Sequence, residues 1–184
     1  MPAAERTRAQ ALMALTQQFD AEQGGFGQAP KFPHPTTIEL LLAVWHASRG
    51  KEADERALAM VTHTLDCMAR GGLYDQLGGG FCRYSVDREW AIPHFEKMLY
   101  DNGLLAQVYL EAFQLTGSEC YRDVALKTLG YLVSEMVDAS GGFHSAEDAG
   151  EVEREGEFYA WTPAEVSDAL GDAASAERLC GLLG

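Results

Sequence analysis

The chain has 184 residues, 47% of them hydrophobic, a composition that predicts one folded domain over 1–184 rather than a disordered segment. Its formal net charge of −14 would repel nucleic-acid phosphates and an anionic membrane surface, so neither is an expected partner. No run of about 18 apolar residues occurs, and the first ten residues lack the apolar stretch of a signal peptide, which points to a cytoplasmic protein.

Apolar spacing predicts a succession of helices. Leu12, Leu15 and Phe19 share one face of the first. Ile38, Leu41, Leu42 and Trp45 stripe the second, and Leu58, Val61, Leu65 and Met68 the third. A fourth helix, expected to start at Pro93, carries Leu99, Leu104, Leu105, Val108, Leu110 and Phe113 around most of its circumference and should lie inside the fold. The fifth has Tyr121, Ala125, Leu129, Leu132 and Met136 in register. Thr36 to Glu39 and Thr162 to Glu165 both match a capping box, and Pro93 and Pro163 suit first helical positions. Glycine doublets at Gly24-Gly25, Gly71-Gly72 and Gly141-Gly142 alternate with single glycines at Gly50, Gly117 and Gly171, each just past an apolar segment, as C-caps require.

Connections at single glycines are short, whereas those at doublets are long, running over 24–35, 71–92 and 140–162. In consecutive antiparallel helices every second connection lies at the same end, so the three long loops share one face. Loops of this length in a compact domain usually have a use. Two should contain β-hairpins: Phe81 to Ser85 with Trp90 to Ile92 around a turn at Asp87-Arg88, and Gly142 to Ala146 with Glu157 to Trp161 around an acidic tip.

The loops collect groups that bind hydroxyl-rich ligands or move protons: His34, Tyr74, Asp75, Arg83, Tyr84, Asp87, Trp90, His144, Glu147, Asp148, Tyr159 and Trp161. Long loops also need internal hydrogen bonds and ring plugs of their own, which is the competing reading. Residues 93–103 form a polar run on an otherwise apolar helix. As helix, His94, Lys97 and Asp101 would share a face, with Glu96 and Tyr100 on an adjacent one. A histidine in the first turn would be kept neutral by the helix dipole, and an enclosed carboxylate would hold its proton more tightly, as a general acid must. A structural network of Glu96, Lys97 and Asp101 is the alternative.

Cys67, Cys82, Cys120 and Cys180 show no CxxC pair and no zinc spacing. The stretch from Glu147 to Glu157 lacks the ladder of an EF-hand, and Gly78-Gly79-Gly80 lacks the lysine and hydroxyl of a P-loop. No metal and no cofactor is expected.

Three strings, GGFGQAPKFPHP (24–35), GGLYDQLGGGFCRYSVDREWAIPHFEKMLYDN (71–102) and GGFHSAEDAGEVEREGEFYAW (141–161), closely resemble the YyaL-like, spermatogenesis-associated, thioredoxin-domain-containing family. The resemblance implies an all-α fold of consecutive helical hairpins, part of a six-hairpin (α/α) toroid similar to N-acylglucosamine 2-epimerases, with short β-hairpins in its loops. It implies that the chain corresponds to about the first three hairpins, without the thioredoxin-like domain. His34, Arg83, Tyr84, Asp87, Trp90, His94, Glu96, Lys97, Tyr100, Asp101 and Asn102 stand where the family motif has them. Cys82 stands where the family often has histidine, and Ala149-Gly150 departs from its usual pattern. The activity implied is epimerase-like or glycosidase-like, with Asp101 or Glu96 as acid/base and His94 orienting or sharing the proton. The remaining motif residues, with His144, would contact a small carbohydrate. The rival expectation is a non-catalytic docking module that forms a homodimer or packs on a thioredoxin-like domain or the rest of the toroid.

Overall fold

In the computed structural model, which describes residues 3–47 and 52–183, the periodic segments become helices α1 (Ala3–Gln18), α2 (Pro35–Ala47), α3 (Glu52–Arg70), α4 (Leu99–Thr116), α5 (Glu119–Ser134), α6 (Pro163–Leu170) and α7 (Ala173–Leu183). Two-residue strands β1 (Tyr84–Ser85), β2 (Pro93–His94), β3 (Lys97–Met98) and β4 (Ala146–Glu147) lie in the loops, so the helical class with minor loop strands is as the sequence predicts. Backbone contacts divide the chain into two compact units, Met1–Asp148 and Ala149–Gly184. The turn expected at Gly50 lies outside the described residues. Among the described residues no helix is long and apolar enough to cross a membrane.

In the first unit α2 packs on α3, and α4 packs on both α2 and α5. The expected stripes supply the core: Ile38, Leu41, Val61, Leu65 and Met68 are fully buried, each contributing about 1.5–3 kcal/mol by removal from water. Helix α4 buries Leu105, Val108, Tyr109 and Ala112 between its two neighbours, while Leu110 is exposed. On α5 the predicted Tyr121, Ala125 and Leu132 are buried, with Thr128 and Tyr131 beside them; Leu129 is exposed, and the buried Met136 lies beyond the helix end.

The helix ends show which local signals hold. Gly117 and Gly171 adopt left-handed conformations and donate to the Phe113 and Ser167 carbonyls, as C-caps should. Thr162 and Glu165 form the full capping box in front of α6. The box expected at Thr36 does not form, because α2 begins at Pro35 and the His34 carbonyl already accepts the Thr37 and Ile38 N–H groups. Gly71 and Gly72 are not left-handed caps either. They are small because a Cβ would sit 2.5 Å from the Trp90 carbonyl oxygen at Gly71 and 2.2 Å from that of Ala91 at Gly72.

Helix four is the main correction. It starts at Leu99, with Met98 as N-cap, and not at Pro93. Residues 93–98 are claimed by two ladders, Tyr84↔His94 with Ser85↔Pro93, and Lys97↔Glu147 with Met98↔Ala146. The helical face proposed for His94, Lys97 and Asp101 therefore does not exist, and His94 is not in a helix dipole. The second expected hairpin is also replaced: Ala146 pairs with Met98, Phe143 with Val137, and 157–161 is turn and coil. An isolated bridge joins Lys31 to Ser85. The first two long loops and the start of the third are thus tied together by backbone pairing, which puts them on one face of the first unit. In the second unit α6 and α7 pack as a hairpin.

Candidate functional site

Two bridges to one short strand organise the site. The Lys31 N–H donates to the Ser85 carbonyl at 2.7 Å and the Ser85 N–H returns a bond at 2.9 Å, while Ser85 also faces Pro93 on its other side. The result is a three-stranded patch. Its inner face is Lys31, Ser85 and Pro93, all buried. Strand alternation sends the neighbouring side chains to the other face, where Phe32, Tyr84 and His94 form a row of rings. Ring centroids are 4.9 Å apart for Phe32 and Tyr84 and 4.8 Å for Tyr84 and His94, the latter pair nearly parallel at 17°. His34 adopts φ 48° and brings its ring to 6.2 Å from Phe32. Desolvation lowers its proton affinity.

Beyond His94 the row continues as a polar chain. Glu96 Oε2 accepts from Arg83 Nη1 at 2.8 Å and lies 3.7 Å from His94 Nε2. The Arg83 N–H donates to the Glu96 carbonyl, so the pair is fixed through backbone as well as side chain. Glu96 strengthens the hold of Arg83 on its charge, and both charges act on Asp101, Arg83 favouring its ionised form and Glu96 its protonated one. Asp101 lies in the first turn of α4 and is only 8% exposed. Burial pushes its carboxyl up to about 6, against the opposing pull of Tyr100 and Arg83. A carboxylic acid titrating near neutrality can give or take a proton at physiological pH.

The structure therefore brings together His34, Arg83, Tyr84, His94, Glu96, Tyr100 and Asp101, and places the other candidates elsewhere. Trp90 offers no ring face to a ligand: it is fully buried, and its Nε1–H donates to the Gln23 carbonyl. Room for it comes from Gly25, where a Cβ would meet the Trp90 ring at 2.5 Å. Asp87 accepts the N–H groups of Glu89, Ala91 and Ile92 and shapes the hairpin tip. Lys97 is buried, bonded to Asp75 at 2.8 Å and to the Gly79 carbonyl, with its ammonium over the Tyr131 ring. Asn102 is buried and clamps Phe81 through both its N–H and its carbonyl. His144 is exposed beside Asp138. Among the described residues no group of three His, Cys, Asp or Glu is arranged as metal ligands.

Sequence reasoning missed the anchor behind the site. Asp20 accepts from Lys31 Nζ at 2.9 Å, from Arg88 Nε at 2.6 Å and Nη2 at 2.7 Å, and from the Glu22 and Gln23 N–H groups. Arg88 first, then Lys31 and the two amides, hold its carboxyl far below the usual range despite burial. These partners are scattered along the chain and follow no periodicity. The available hint was a lysine set between Pro30 and Phe32.

Solved structures share this architecture. A cellobiose 2-epimerase from Bacillus thermoamylovorans B4167 matches with TM-score 0.62 and 16% identity over 80% of this chain and 42% of its own. A sugar epimerase from a ruminal bacterium matches with TM-score 0.63 and 16% identity over 97% of this chain and 53% of its own. A D-mannose isomerase gives TM-score 0.53 at 18% identity over 67% and 30%. The fold thus resembles part of the (α/α) toroid of the epimerase type. No family model matches it. Spermatogenesis-associated protein 20 of Homo sapiens is 45% identical over 175 residues, which is 92% of this chain and 22% of that protein. The Mus musculus protein of the same name is 48% identical over 162 residues, 85% of this chain and 20% of that one. The chain belongs to the spermatogenesis-associated protein 20 family over this segment and spans roughly a fifth of the length of these curated relatives.

Proposed function

We infer that the cluster around Asp101 is a carbohydrate-directed acid–base site of the epimerase or isomerase kind. The observation that carries this reading is a nearly buried carboxyl, raised by burial to about 6 and acted on by the Arg83–Glu96 pair, which in turn adjoins His94 and a row of rings. Asp101 is the proton donor and acceptor, Glu96 fixes Arg83 beside His94, and His94 shares the proton. Arg83, Tyr84, Tyr100 and His34 contact the ligand. The Arg83 Nε–H is buried with no partner, a donor that a ligand hydroxyl or a water would satisfy. Two-carboxylate hydrolysis has less support, because Glu96 Oε2 is engaged by Arg83. The sugar epimerases and isomerase of similar fold add to this reading. All four cysteines are unpaired, which favours a reducing, cytoplasmic setting.

A thermal-shift panel of monosaccharides and disaccharides tests the proposal. Saturable stabilisation is expected, about 2.7 kcal/mol at a hundredfold excess over Kd, and Asp101→Asn should abolish it while remaining folded. Absence of a shift with every sugar overturns it.

A second reading, a docking module, draws on α5, where Leu126, Leu129 and Val133 form an exposed stripe, with Val133 67% exposed. It predicts self-association through this stripe. Light scattering at high concentration should then show dimers that Leu129→Glu dissociates, and monodisperse monomer would rule the reading out.

A further inference from the structure

We propose that the buried Asn102 is the positioning residue of the acid–base cluster: its one amide holds Arg83, Glu96 and Asp101 in place relative to one another. The inference rests on the acid–base reading of Asp101 and adds what fixes the geometry of that site.

Asn102 is fully buried and sits beside Asp101 at the start of the buried face of α4. Its Oδ1 accepts the Phe81 N–H at 2.6 Å, and its Nδ2 donates to the Phe81 carbonyl at 2.9 Å and to the Met98 carbonyl at 3.0 Å. Both amide hydrogens are thereby used, and both polar groups of the Phe81 main chain are matched, as a neighbouring strand would match them. Each bond of this amide leads to a member of the cluster. Arg83 lies two residues after Phe81, Glu96 two before Met98, and Asp101 next to Asn102 itself. The Arg83 N–H then donates to the Glu96 carbonyl and closes the circuit. A fully satisfied buried network is rigid, so the three charged groups inherit fixed separations. Aspartate in place of Asn102 would lack both donors, and leucine, of similar size, all three bonds. Loosening the amide admits water to the first turn of α4. Since burial is what raises the Asp101 carboxyl, that carboxyl would then ionise more readily.

Carboxyl-carbon NMR of the whole chain with labelled aspartate, in which Asp101→Asn assigns the Asp101 signal, reads the effect. In the unaltered chain this residue should titrate at about 6. In Asn102→Ala the midpoint should fall by about one pH unit or more towards 3.8. Asn102→Thr keeps most of the volume, and its hydroxyl can return to the Met98 carbonyl four residues back, as Thr64 does to Met60 and Thr116 to Ala112. It loses only the Phe81 arm and should show most of the fall. Tyr109→Phe deletes a buried hydrogen bond to the Leu65 carbonyl two turns further along α4. It should lower the unfolding midpoint and leave the titration alone. A titration unmoved in either folded Asn102 variant, an equal fall in Tyr109→Phe, or failure of Asn102→Thr to fold would each overturn the positioning role. An ordinary carboxylate midpoint at Asp101 in the unaltered chain would overturn the acid–base reading along with it. Titrations as expected without binding of any sugar would support the positioning role and count against the carbohydrate ligand alone.

Discussion

Asp101→Asn will make the chain more stable at pH 7.5, by about 1–3 kcal/mol, and leave its stability at pH 4 nearly unchanged. The folded carboxyl binds its proton more tightly than the unfolded one, with burial raising it from 3.8 to about 6. Below the lower value both states are protonated and the site costs nothing. As pH rises from about 4 to 6 the unfolded chain ionises first, so unfolding gains on folding, and above 6 the whole cost of a charge inside the first unit is present. Asparagine has no such charge and nearly the same shape. Urea denaturation at pH 4, 6 and 7.5 reads the difference directly. A variant that is less stable at pH 7.5, or equally stabilised at all three values, would show that Asp101 is not the strained carboxyl described above. The same substitution is expected to remove sugar binding, so gain of stability and loss of function coincide at one residue.

The opposite sign is expected at Asp20. Asp20→Ala should cost about 3–5 kcal/mol, because it leaves a fully buried Lys31 ammonium and the Arg88 guanidinium without their shared acceptor. The Lys31 ammonium would keep only the Arg88 carbonyl and the Trp90 ring, 5.0 Å from its centroid. Since the folded carboxyl is depressed, its contribution is complete above about 3.8 and fades as pH falls below that value. A double-mutant cycle with Lys31→Met separates the pair from the packing. If Asp20→Ala and Lys31→Met prove additive, or if the single change costs under about 1 kcal/mol, the anchor is only a surface ion pair.

How far the sequence reaches depends on the range of the interaction. Helices α2 and α3 were legible because apolar spacing is local, and the same holds for the caps at Gly117, Thr162 and Gly171. The stretch 93–98 was misread because helix periodicity continues through it, and only pairing with distant Tyr84 and Glu147 overrides it. Residue types pointed correctly to a polar cluster at the loop end, but not to which members face outward. Trp90 and Lys97 carry suitable chemistry and are buried, because Gly25 makes room for the indole and Asp75 neutralises the ammonium. Asn102 reads as a ligand contact until Phe81, 21 residues earlier, is seen to occupy its amide.

The three-stranded patch ties chemistry to alignment. Because Phe32, Tyr84 and His94 alternate with Lys31, Ser85 and Pro93, a slip of a single position on any strand would turn a core residue outward and drive a ring of the row into the interior. Two-residue strands offer few bonds to resist such a shift. What forbids it is the grip of Asp20 on Lys31, a long-range latch that sets the phase of the whole surface. Replacing Asp20 should therefore disorder the row of rings as well as the buried ion pair.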